Sequence, residues 1–264
     1  MGRFSKLELG QSAPPEAAPA VAPPSEAARE EEGYDALSWL RRGEELFFRG
    51  QHEPALRAFG QALRNDSTLH EAWVGQIDSL IALNQTREAE VWTTRALDQF
   101  PDDPTLLSLR ASLLARQGML KRAMGTSDYA LSRGHTLRAW LARGDILLEA
   151  ESANAAHCLE KALEEIHDTD WQSLTRLGLI WLRHRRHAQA LEVFQRACAA
   201  QPANAQLWRH IAECQSRLGF NQRAIEAARR AHELEPNDRK TEAMLARLTK
   251  ESFLKRLWRR LRRR

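Results

Sequence analysis

What most constrains this chain is a repeat of about 34 residues that runs six times and takes up most of its 264 residues. Alanines mark it: Ala55, Ala89, Ala123, Ala155, Ala190 and Ala224 lie 34, 34, 32, 35 and 34 residues apart. A second alanine follows each one seven residues later, from Ala62 to Ala231. A third track runs through Trp39, Trp73, Leu107, Trp140, Leu174 and Trp208. A unit this short cannot bury its own apolar face, so neighbouring units must stack. Stacking produces a long exposed surface, a shape suited to binding rather than to catalysis.

Each unit reads as two helices. In the first unit, Trp39 to Gly43 leads to Leu46, Phe47 and Phe48, an apolar stripe at helical spacing that Gly50 ends. Ala55, Leu56, Phe59, Ala62 and Leu63 then form a second helical face. Alternating runs are missing, so strands are not expected. Alanines at 55 and 62 let backbones approach closely, while tryptophan and phenylalanine fill the wider gaps. Gly50, Asn84, Gly118 and Gly219 stand at the turns, where a positive φ is easily reached. Asp66-Ser67, Pro101, Pro202 and Pro236 fall where second helices must stop.

These residues resemble the tetratricopeptide repeats. The first unit carries the family pattern in Trp39, Gly43, Gly50, Ala55, Phe59 and Ala62, and the fifth in Gly178, Ala190, Phe194, Ala197 and Pro202. The resemblance implies an all-α fold, a right-handed α-solenoid of about six helix pairs over residues 34–238. Units are expected near 36–69, 70–103, 104–136, 137–170, 171–204 and 205–238, with a C-terminal capping helix and tail over 239–264. Three departures stand out: the fourth unit loses a residue around Glu151 to Asn154, Ile77 replaces a small residue, and Arg185 replaces a glycine.

The ends differ from the body. Half of the ten prolines lie between Pro14 and Pro24, followed by the run Arg29-Glu30-Glu31-Glu32, so residues 1–33 are expected to be a disordered tether. Phe4, Leu7 and Leu9 read as a frayed terminus or as a short docking motif. Residues 255–264 hold seven basic side chains and no acidic one, which leaves 32 basic against 35 acidic in the rest. The overall +4 charge is therefore local to the tail. There is no apolar run long enough to span a membrane and no secretory h-region, and the three cysteines do not suggest a disulfide framework. A cytoplasmic location is expected.

The tail is amphipathic at 100° per residue. Phe253, Leu254, Leu257, Trp258 and Leu261 fall on one side, and Lys255, Arg256, Arg259, Arg260, Arg262, Arg263 and Arg264 supply the basic charge. Upstream, Met244, Leu245 and Leu248 form the expected core face of the capping helix, rotated well away from the tail stripe. An anionic membrane surface suits both the stripe and the arginines. A nucleic-acid backbone suits only the charge and is the weaker candidate. A partner's groove, or the chain's own, is a third possible target.

By the resemblance, the inward face of each first helix forms a ligand groove. Here that face holds Leu40, Glu44, Phe47, Glu71, Val74, Asp78 and Ile81 in the first two units. Leu141, Asp145, Leu148, Leu179 and Leu182 continue it in the fourth and fifth. The family's best-known peptide mode uses lysine and asparagine to hold a terminal carboxylate. Leu40 with Glu44, and Val74 with Asp78, stand there instead. An apolar floor with Glu44, Asp78 and Asp145 is expected to favour an apolar segment carrying basic residues. His184 and His187 lack a third ligand at metal spacing, and no phosphate loop, nucleophile elbow or zinc-protease motif occurs. No cofactor, no small-molecule substrate and no enzymatic activity are expected.

Overall fold

The computed structural model describes residues 35–261, with side chains through residue 250. The described residues form one contact unit, and the expected tether lies outside them. Thirteen helices and no strand occur among the described residues. They pair as α1 (Ala36–Phe48) with α2 (His52–Asn65), α3 (His70–Ala82) with α4 (Thr86–Gln99), and α5 (Pro104–Arg116) with α6 (Leu120–Arg133). The series continues with α7 (Leu137–Glu149) and α8 (Ala155–Glu165), α9 (Trp171–Arg183) and α10 (His187–Ala200), and α11 (Ala205–Arg217) and α12 (Asn221–Leu234). Helix α13 (Arg239–Leu261) follows and packs on α12. The fold is an all-α helical-repeat solenoid.

Local chemistry sets the boundaries. Asp35, Asp103, Thr136, Asp170 and Asn204 each accept a hydrogen bond from a backbone N–H in the first turn of α1, α5, α7, α9 and α11. These N-terminal N–H groups would otherwise lack partners. Asp238 does the same for α13 by accepting from the Thr241 N–H at 3.1 Å. Only α3 among the first helices starts at a residue without a capping side chain, Leu69.

The turn between the two helices of a unit requires a left-handed residue. Gly50, Asn84, Gly118 and Gly219 take φ of 76, 60, 77 and 85°, as their residue types allow. Glu151 and Arg185 take 53° and 58° at the equivalent places, where a side chain makes this conformation costly. The fourth unit, which is one residue short, also has the shortest second helix. Helix α8 has 11 residues, whereas α2, α4, α6, α10 and α12 have 14 each.

The core follows the alanine tracks. Ala55, Ala62, Ala89, Ala96, Ala190 and Ala197 are fully buried. Phe194 of α10 lies over Gly178 of α9, where an added Cβ would come within 2.6 Å of its ring. Phe59 lies likewise over Gly43 and Gly75. Ile77 is fully buried in the next contact of the stack. Leu248 of α13 is 1% exposed and closes the last unit, with Met244 and Leu245 partly buried beside it.

Candidate functional site: the concave face

The inward sides of the first helices meet across the solenoid. Asp78 of α3 is buried, and Arg138 of α7 grips both of its carboxylate oxygens. Arg176 of α9 donates from Nη1 to Asp78 Oδ2 at 2.8 Å. Burial pushes the Asp78 carboxyl up, but Arg138 and then Arg176 outweigh it and hold its pKa at about 2. The Arg176 guanidinium also lies 5.6 Å from the Phe47 ring centre and 5.2 Å from that of Phe48, in cation–π range.

This knot carries the first unit onto the fifth and sixth. The Phe48 ring meets Trp171 of α9 edge-on at 4.8 Å. Asn204, while capping α11, donates from Nδ2 to the Phe48 carbonyl at 3.3 Å. Arg209 donates to the Arg49 carbonyl at 3.3 Å and pairs with Asp238. The turn at Gly50 thus supplies two backbone carbonyls to residues about 160 positions later in the chain.

Two cavities lie along the concave face, and the Asp78 knot with Phe47 and Phe48 borders both. The smaller, of about 270 Å³, holds Glu44, Glu71 and Val74. Burial raises the Glu44 pKa; Arg176 opposes this, and Glu71 adds to it. The larger, of about 400 Å³, holds Ile81, Leu141, Asp145 and Leu179 together with Arg116 and Arg183. Asp145 is buried and pairs with Arg183, and His184 Nε2 lies 2.9 Å from the same carboxylate.

Most residues expected to form the groove line these two cavities. Leu40, Leu148 and Leu182 do not, and pack against core clusters instead. The expected acidic character changes more. Asp78 and Asp145 are already neutralised from within the chain, which leaves the acidic reading to Glu44 and Glu71. Four arginines were missed. Arg138 stands at an inward-facing position of its helix, while Arg116 and Arg183 each follow the last such position of theirs, a place the family pattern does not emphasise. His184 pairs with Asp145, and among the described residues no group of three His, Cys, Asp or Glu is placed to hold a metal.

For the tail, the backbone is helical through Leu261. The side chains of Phe253, Leu254, Lys255, Arg256, Leu257, Trp258, Arg259, Arg260 and Leu261, and all of Arg262, Arg263 and Arg264, lie outside the described residues. No described helix is long and apolar enough to cross a membrane.

Residues 150–205 and 175–239 match the family model described as tetratricopeptide repeat. The match spans residues 150–239, and the helix pairs outside it continue the same helical-repeat fold. It is similar to a chain of the APC/C hetero-tetramer Cut9-Hcn1, with 16% identity and a TM-score of 0.50 over 84% of this chain and 44% of that one. The present chain thus corresponds to less than half of that relative. It is also similar to PilW, a widely conserved type IV pilus biogenesis factor, at 17% identity, TM-score 0.49 and coverage of 80% and 98%. A third is YrrB, a TPR protein with an unusual peptide-binding site, at 17% identity, TM-score 0.42 and coverage of 73% and 98%. Among curated proteins, none matches the sequence.

Proposed function

We propose that this chain is a non-enzymatic adaptor that holds a segment of another protein along its concave face while its C-terminal residues attach it to the cytoplasmic face of an anionic membrane. The observation that carries the first half is Leu179, a large apolar side chain that is 38% exposed inside a cavity whose other leucines, Leu109 and Leu141, are buried. An apolar residue left facing such a cavity fits a partner side chain. The membrane half is supported by the Phe253 to Leu261 stripe, the seven basic residues of 255–264, and a backbone that is helical to Leu261.

Two experiments test the two halves. A photo-crosslinking amino acid at position 179 in cells yields a discrete protein adduct, and the same group at exposed Val91 on the second helix of its unit does not. Equal adducts from both positions contradict a concave site. Full-length protein sediments with anionic but not neutral liposomes, and a chain ending at Glu251 stays in the supernatant. Loss of that difference removes the membrane half alone.

A further inference from the structure

The larger concave cavity carries positive charge that its own ion pairs do not use up. Arg116, Arg138, Arg176 and Arg183 line it, against the two carboxylates Asp78 and Asp145. Both carboxylates are engaged, Asp78 by Arg138 and Arg176, and Asp145 by Arg183 and His184. The two histidines on the wall, His52 and His210, are pushed toward the neutral form by burial and then by cationic neighbours, Lys240 for the first and Arg209 for the second. Arg116 stands apart. It makes no hydrogen bond or ion pair with the described residues and its side chain reaches solvent; Arg183 repels it, while Asp145, Asp78 and Glu149 attract it only from a distance. The Arg183 Nε is itself buried without an acceptor. Leu179 and Leu141 border the same space.

Resting on the concave-face reading above, we infer that this cavity receives an acidic side chain from an extended partner segment. Its carboxylate meets Arg116, and its apolar neighbours pack on Leu179. An incoming carboxylate removes the repulsion between Arg116 and Arg183 and supplies the charge that the cavity lacks, whereas an incoming lysine would add a like charge. The smaller cavity, with Glu44 and Glu71, has the opposite sign, so a bound segment is read in one direction: acidic at the α5 and α9 end, basic or neutral at the α1 and α3 end. The arginine-rich tail has the wrong sign for the larger cavity.

The test is fluorescence anisotropy on the full-length protein, with a labelled short peptide alternating leucine and glutamate and its counterpart alternating leucine and lysine. The glutamate peptide is expected to bind more tightly, and Arg116→Glu, which removes no internal pair, is expected to weaken it about tenfold. Because that variant keeps the basic tail, binding of the glutamate peptide that is indifferent to Arg116→Glu would locate it on the tail and overturn the inference. Preference for the lysine peptide, with its binding lost in Leu179→Ser, would also overturn it but would leave the concave-face reading standing. Binding of the glutamate peptide only after removal of residues 1–34 would make the occupant this chain's own acidic run, not a partner, and would overturn it as well.

Discussion

Each first helix shows two faces built on different principles. The face toward its second helix is periodic and apolar: small residues such as Gly178 accept the ring of Phe194, and the alanine tracks let backbones close at every repeat. The concave face is aperiodic and charged. Asp78 reaches Arg138 sixty positions away and Arg176 ninety-eight positions away, and no other unit repeats that arrangement among the described residues. The apolar face makes the units alike and stackable, and the charged face makes one particular stack close on itself. The difference separates the stability of a repeat protein from its individuality.

The comparison can be broken most strongly on the apolar side. Phe194→Ala leaves a void over Gly178 and is expected to cost about 4 kcal/mol, read as a fall in denaturation midpoint. A loss below about 1 kcal/mol would mean the fifth unit collapses around the gap. On the charged side, Asp78→Ala strands two guanidinium groups and is expected to cost about 3 kcal/mol, less than the ring but more than any exposed pair. It should also weaken the docking of the Phe48–Gly50 turn, visible as faster amide exchange there.

Acid sharpens the same comparison. Burial, with Arg209 and His52 adding, holds His210 at a pKa of about 3, below its ordinary 6.5. A depressed histidine contributes stability above the unfolded pKa and loses it as pH falls from 6.5 toward 3. At pH 4.5 the loss is about 3 kcal/mol, and His210→Gln is expected to flatten the dependence between pH 6.5 and 4.5. Asp78, with its pKa of about 2, adds a second loss only below about pH 4. The smallest effect is a gain. Arg185→Gly relieves a left-handed residue at φ 58° and is expected to stabilise by about 1 kcal/mol in denaturant titration.

The periodic face was legible from one sequence because each alanine and each turn is written six times. Gly50, Asn84, Gly118 and Gly219 showed the turn position, and Glu151 and Arg185 follow it because the stacked helices on either side impose the same backbone. The concave face was legible only as a location. Its apolar lining of Phe47, Val74, Ile81, Leu141 and Leu179 followed from the family pattern, but the partners of Asp78 and Asp145 did not. Single pairs between distant units leave no period, so the acidic residues looked free until the solenoid brought arginines to them.

The most direct test of a concave face closed by charge across the units is a double-mutant cycle on Asp78→Asn and Arg176→Met, measured by denaturant unfolding. The account predicts a coupling of at least about 1.5 kcal/mol between residues ninety-eight positions apart, with faster exchange at Arg49 and Gly50 in both single variants. Effects that add to within about 0.4 kcal/mol, with the turn unmoved, would contradict it.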